Sequence, residues 1–137
     1  MANEMKIQLR QISPSASEAT IRQHNVRIDR PAAKGGSDAG PMGGELFLAS
    51  VGGCFMSNLL AAIGARNAEI YDLQVDVVGI LADSPSRFTG LELRVTAEGG
   101  DPELLDRLIE VADRGCIMMN TLRGSLDLRV LAGAAVR

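Results

Sequence analysis

Residues 5 to 11, MKIQLRQ, alternate apolar and polar side chains, with Met5, Ile7 and Leu9 on one face. That two-residue period predicts a half-buried first strand. SPSASE is a turn cluster, and ATIRQHNVRID after it resumes an extended pattern in which Val26 and Ile28 share a face with His24. Together the two segments predict an N-terminal hairpin.

The pattern then lapses. RPAAKGGSDAGPMGG holds two prolines and five glycines in fifteen residues, too many restricted and permissive backbone positions for a regular element. It reads as a loop, and loops of this length in compact domains are often functional. From Leu46 to Ala65 there follow twenty residues without a charge, long enough as a helix to cross a bilayer. Ser50, Gly52, Gly53, Ser57, Asn58 and Gly64 dilute that run, and the rest of the chain is patterned for half-buried strands that need a helix to cover them. The expectation is a buried central helix and no membrane association.

Beyond it, Leu73, Val75 and Val77 alternate with Asp72, Gln74 and Asp76, and Leu91, Leu93 and Val95 repeat the pattern in LELRVTAE. The intervening SPSR supplies the turn of a second hairpin. In GGDPELLDRLIEVADRG, Asp101 is placed as N-cap, Pro102 at the first helical position and Glu103 in the first turn. Leu104, Leu105, Leu108, Ile109 and Ala112 then share one side, and Gly115 is the expected stop. IMMNTLRG is of undefined type, and SLDLRV is a last strand with Leu126, Leu128 and Val130 inward. The order β-β-α-β-β-α-β defines an α+β domain, and strands grouped in hairpins favour an antiparallel sheet wrapped on the long helix.

Composition narrows the function. A chain of 137 residues fits a single domain, 1–137, and a net charge of -3 offers no basic footprint for nucleic acid or anionic lipid. The N-terminus MANEMKIQLRQ carries Glu4 and Lys6 and shows no apolar stretch leading to a small-residue cleavage site, so the expected location is cytoplasmic. One histidine, His24, and no C-x-x-C or H-x-x-x-H spacing supply metal chemistry poorly. Met56, Met118 and Met119 read as adaptable core or interface filler.

Two cysteines, Cys54 and Cys116, remain. They are either inert core thiols or a redox pair, since a purely structural disulfide does not suit a reducing cytosol. Gly52 and Gly53 directly precede Cys54 inside the expected helix, at about 1 kcal/mol each relative to alanine, so something needs their missing side chains. Tight core packing or the approach of a substrate would each be reason enough. If the thiols meet in the fold, a thiolate can attack a peroxide, become a sulfenic acid and condense with the second thiol. Such a cycle is helped by an arginine that favours the thiolate and a carboxylate that fixes the guanidinium.

GGSDAGPMGGELFLASVGGC, followed further on by RGCIMMNTLRGSLDLRV, resembles the OsmC/Ohr family of dithiol hydroperoxide reductases. The resemblance covers most of the chain: a Gly-rich loop, a long helix bearing a cysteine, and a second cysteine before the last strand. It implies an intertwined homodimer in which sheets of both chains wrap the central helices. It also implies that Cys54 is the peroxidatic and Cys116 the resolving cysteine. The family's organic-hydroperoxide branch carries a catalytic glutamate where this chain has Gly44, and Glu45 stands beside it. The family arginine is nearest to Arg10 in one branch and to Arg30 in the other.

By that resemblance the chain is a thiol-dependent peroxidase, without bound metal or flavin. It would reduce organic hydroperoxides and be recycled by an external dithiol, such as a lipoylated protein, or by a small thiol. Gly44 and the segment PMGGEL, which departs from the family text, favour a different reading: an OsmC-like protein without peroxidase activity that binds a small apolar ligand.

Overall fold

The described residues of the computed structural model are 2–133. In chain order the strands and α-helices are β1 (Gln8–Gln11), β2 (Ser17–Ile21), β3 (His24–Ile28), α1 (Gly43–Ala65), β4 (Tyr71–Ala82), β5 (Arg87–Glu98), α2 (Pro102–Gly115), α3 (Ile117–Leu122) and β6 (Asp127–Ala132), with one 3-10 turn, Ala32–Lys34, in the Gly-rich loop. They fall into two compact units, Met1–Phe47 and Leu48–Arg137.

The first unit is an antiparallel sheet ordered β1-β2-β3, followed by the Gly-rich loop. The segment expected as one second strand is two, because the chain reverses over Arg22 and Gln23 with Ile21 opposite His24. Arg22 has φ 55°, a left-handed conformation that glycine or asparagine usually supplies in two-residue hairpin turns. The expected first strand is shorter than its alternation, since pairing starts only at Gln8, and the apolar positions of that segment are exposed: Met5 92%, Ile7 47% and Leu9 52%.

What organises this unit is polar. The Asp29 carboxylate, on a residue only 3% exposed, accepts the amide N–H groups of Arg30 at 2.7 Å and of Ser37 and Ala39 at 3.1 Å. Those bonds fold the loop back on the end of β3. The Ala39 amide above all, against the cost of burial, and then the Arg30, Ser15 and Ser37 donors hold the carboxyl below its ordinary value. Gly36 and Gly40 lie so close to the Arg30 and Arg27 carbonyls that a Cβ would collide with backbone.

The second unit is built by apolar burial. Along α1, Val51, Phe55, Leu59 and Ile63 recur every fourth residue and are buried, a single ridge of the kind that packs into a neighbour's groove. The sheet β4-β5-β6 carries the matching surface, with Leu91, Leu93, Val95 and Ala97 buried along β5. A Cβ on Gly52 would meet the Val77 Cγ2 at 2.6 Å, so this glycine exists to let α1 approach β4. Gly53 has nothing within 4 Å of such a Cβ.

α2 starts as its sequence predicts: the Asp101 side chain accepts the Glu103 amide at 3.1 Å, and Pro102 occupies the first turn. Leu108, Ile109 and Ala112 are its buried face. Three details differ from expectation within the same α+β class. IMMNTLRG contains a third short helix, the N-terminal sheet has an extra strand, and β6 joins β5 in parallel, with Leu91 opposite Leu128. The parallel pairing follows from α2 and α3, which carry the chain back to the end where β5 began.

Candidate active site

Cys54 lies on α1 three residues after the buried Val51, at the border between the packed ridge and the open side, and is half-buried. Cys116 occupies the corner between α2 and α3 and is fully buried. The fold brings their sulfurs to 3.3 Å, with the Cys116 S–H directed at the Cys54 sulfur. No disulfide joins them.

The corner is held on every side. The Cys116 amide donates to the Asp113 carbonyl at 3.2 Å, ending α2, and its carbonyl accepts the Asn120 amide at 2.9 Å, starting α3. Arg123 pairs with Asp113 at 2.9 Å, and the Asn120 side chain donates to the Arg114 carbonyl at 2.9 Å. Burial pushes the Cys116 thiol above its ordinary value of 9.0; the Met119 amide draws it partly back, and its hydrogen bond to Cys54 pushes it up again. Cys116 is therefore a protonated, enclosed thiol that donates to a more open one.

The other candidate catalytic residues, Glu45, Arg30 and Arg10, all belong to the first unit. Glu45 is the third residue of α1, and its carboxylate accepts the Met42 amide at 2.8 Å, the acidic half of a capping box. This gives Glu45 a structural task of its own. Arg30 lines a cleft of about 490 Å³ together with Lys34, Ser15, Ser17 and the first two residues of α1, Gly43 and Gly44. Arg10 sits on the exposed strand β1, opposite Glu18, and lines a separate groove. Among the described residues neither Arg10 nor Arg30 forms an ion pair with Glu45.

Sequence reasoning missed Asn58. It is half-buried one turn after Cys54, and its side-chain amide donates to the Ala112 carbonyl of α2 at 3.4 Å. The signal was an amide within the uncharged run of α1, at the spacing that shares a face with Cys54. The Met118 and Met119 amides near the Cys116 sulfur were also unforeseen, because the helix that aims them was not predicted.

A family model described as OsmC-like protein matches residues 35–130, and the chain belongs to that family. Solved structures agree on the fold. The organic hydroperoxide resistance protein OhrB of Bacillus subtilis superposes with a TM-score of 0.70 at 23% identity, covering 94% of this chain and 98% of its own. The organic hydroperoxide resistance protein of Elizabethkingia anophelis gives 0.75 at 19% identity, covering 98% and 99%. A hypothetical protein from Aquifex aeolicus gives 0.83 at 14% identity, covering 97% of both chains. No curated protein sequence matches the chain. The helix Gly43–Ala65, which contains the uncharged run from Leu46, is thus the long helix of an OsmC-like fold, although its length and apolarity alone would also suit a membrane span.

Proposed function

We propose that this protein is a cytoplasmic thiol peroxidase that reduces organic hydroperoxides through Cys54 and Cys116, as a defence against oxidative stress. The observation that carries the reading is the 3.3 Å approach of one half-buried and one enclosed sulfur. Accessibility makes Cys54 the attacking thiol, because a peroxide has no path to a sulfur with no exposed surface.

In the first step the Cys54 thiolate attacks the terminal peroxide oxygen, the O–O bond breaks, and the alcohol leaves after taking up a proton. Cys54 is now a sulfenic acid. In the second, the Cys116 sulfur attacks the Cys54 sulfur, the S–O bond breaks, and water departs with the Cys116 proton as the S–S bond forms. An external dithiol, such as a lipoylated protein, or a small thiol returns two electrons and two protons. No bound metal or flavin is required.

Arg30 is the better candidate for the activating cation than Arg10, since its cleft also contains Gly44, where the family places its glutamate. Glu45 would then serve chiefly as the cap of α1 and only secondarily as a partner of the arginine. The chain would act as a single domain in an intertwined homodimer, a reading supported by the uncovered apolar residues Met5, Ile7 and Leu9 of the N-terminal segment and Leu60 of α1.

Titration of the reduced protein with cumene hydroperoxide, followed by mass spectrometry, tests the proposal. Stoichiometric loss of both thiols to an intramolecular disulfide is expected. Cys54→Ser should leave Cys116 reduced, and Cys116→Ser should stop at the Cys54 sulfenic acid. Inert wild-type thiols would sink the peroxidase and favour the second reading, a small apolar ligand bound without chemistry, which Gly44 supports.

A further inference from the structure

Where a helix continues, the carbonyl of residue 112 would receive the amide of residue 116. Here the Cys116 amide turns instead to Asp113 at 3.2 Å, and Ala112, only 1% exposed, needs another donor. The Asn58 side chain supplies it from α1 at 3.4 Å. A Cβ placed on Gly115 would stand 3.8 Å from the same amide nitrogen, so the Asn58 head group also lies against the residue before Cys116. Asn58 follows Cys54 by one helical turn and Ala112 precedes Cys116 by one, so the amide link and the sulfur pair are two parallel ties between the same two segments.

We propose that Asn58 is a positioning residue for the cysteine pair: it ties the Cys54 face of α1 to the corner carrying Cys116 and so sets how readily the sulfurs close. The inference rests on the two-cysteine reading of the site. Closure takes the sulfurs from 3.3 Å to a bond of about 2.05 Å, a small movement only while the corner stays docked. Untying it would widen the range of separations the reduced pair samples and lower the effective concentration of one thiol at the other. The electrons are unaffected: two thiols still yield one disulfide, two protons and two electrons, taken up by the oxidised dithiol buffer.

The test equilibrates the full-length protein in buffers of reduced and oxidised dithiothreitol, blocks free thiols by alkylation and measures the disulfide fraction by mass spectrometry. Asn58→Leu, of similar volume but without a donor, should make the Cys54–Cys116 disulfide about tenfold easier to reduce, a shift of about 30 mV. Asn58→Gln, which keeps the amide, should recover most of that change, and Asn58→Ala, which also removes the donor and should shift the equilibrium the same way, replaces the leucine variant should that fail to fold. Ile63→Val, a core change on the same helix away from the tie, should leave the equilibrium within about twofold of wild type, since its effect is confined to packing. The proposal is overturned if folded Asn58→Leu keeps the wild-type constant, if Ile63→Val shifts it equally, or if Asn58→Gln behaves as a loss of the donor. Because dithiothreitol sets the equilibrium without peroxide, a wild type that closes here yet ignores cumene hydroperoxide would end the peroxidase reading and leave this one standing.

Discussion

The two sheets of this chain are stabilised by different means. β4-β5-β6 rests on buried Leu91, Leu93 and Val95 together with the ridge of α1. β1-β2-β3 buries only Ala19 among its apolar residues, with Ala16 buried just before β2, leaves β1 entirely exposed, and depends on a carboxylate that gathers three amides of the following loop. Both strand sets show the same apolar alternation. The difference teaches that alternation fixes which face is apolar, while what covers that face is decided elsewhere; in the proposed homodimer a second copy would cover that of β1.

The largest expected effect follows directly. Leu93→Ala should cost about 2–5 kcal/mol at any protein concentration, measured by urea unfolding. Leu9→Ala would change an isolated chain by no more than about 0.5 kcal/mol, but in a dimer its cost should exceed that at high protein concentration and shrink towards it as dilution separates the chains. A small, concentration-independent effect at Leu9 would remove the second copy from the account. The adjacent glycines sharpen the contrast within one helix. Gly52→Ala pushes a methyl against Val77 and should cost about 1–3 kcal/mol, whereas Gly53→Ala, with open space before it, should gain up to about 1 kcal/mol. A loss at Gly53 would mean that its open side is covered in the assembled protein.

Acid and alkali should separate the two units. The Asp29 carboxyl is lowered in the fold, so its contribution is complete above its ordinary 3.8 and is lost as pH falls through the folded value. Protection of the loop 30–42 amides against exchange, measured relative to the intrinsic rate at each pH, should therefore fall in acid, and Asp29→Asn should flatten that dependence. The Cys116 thiol is raised in the fold, so its contribution is complete below 9.0 and fades as pH climbs through the folded value. The melting temperature of the reduced protein should fall on that alkaline side, and Cys116→Ala should abolish this small component.

Much of the fold was legible because local chemistry announced it. Asp101, Pro102 and Glu103 marked the start of α2, and the uncharged run marked α1. The break between β2 and β3 was hidden because Arg22 does the work of a turn glycine, and α3 because six residues are too few to show a helical period. Asp29 looked like one more polar residue before a loop; only the folded loop shows three amides converging on it. For the site, the two cysteines were identifiable by type and through the family, but their 3.3 Å separation comes from the docking of α1 against the α2–α3 corner. Glu45 was identifiable through the family as the arginine's partner, and its capping bond to Met42 emerged only with the start of α1 at Gly43.

The unequal enclosure of the two sulfurs has a practical side. A maleimide or iodoacetamide reagent offered to the native, reduced protein meets one half-open thiol and one with no accessible surface. Dyes, spin labels or cross-linkers can thus be installed at Cys54 on the unmutated chain, with Cys116 modified only after denaturation.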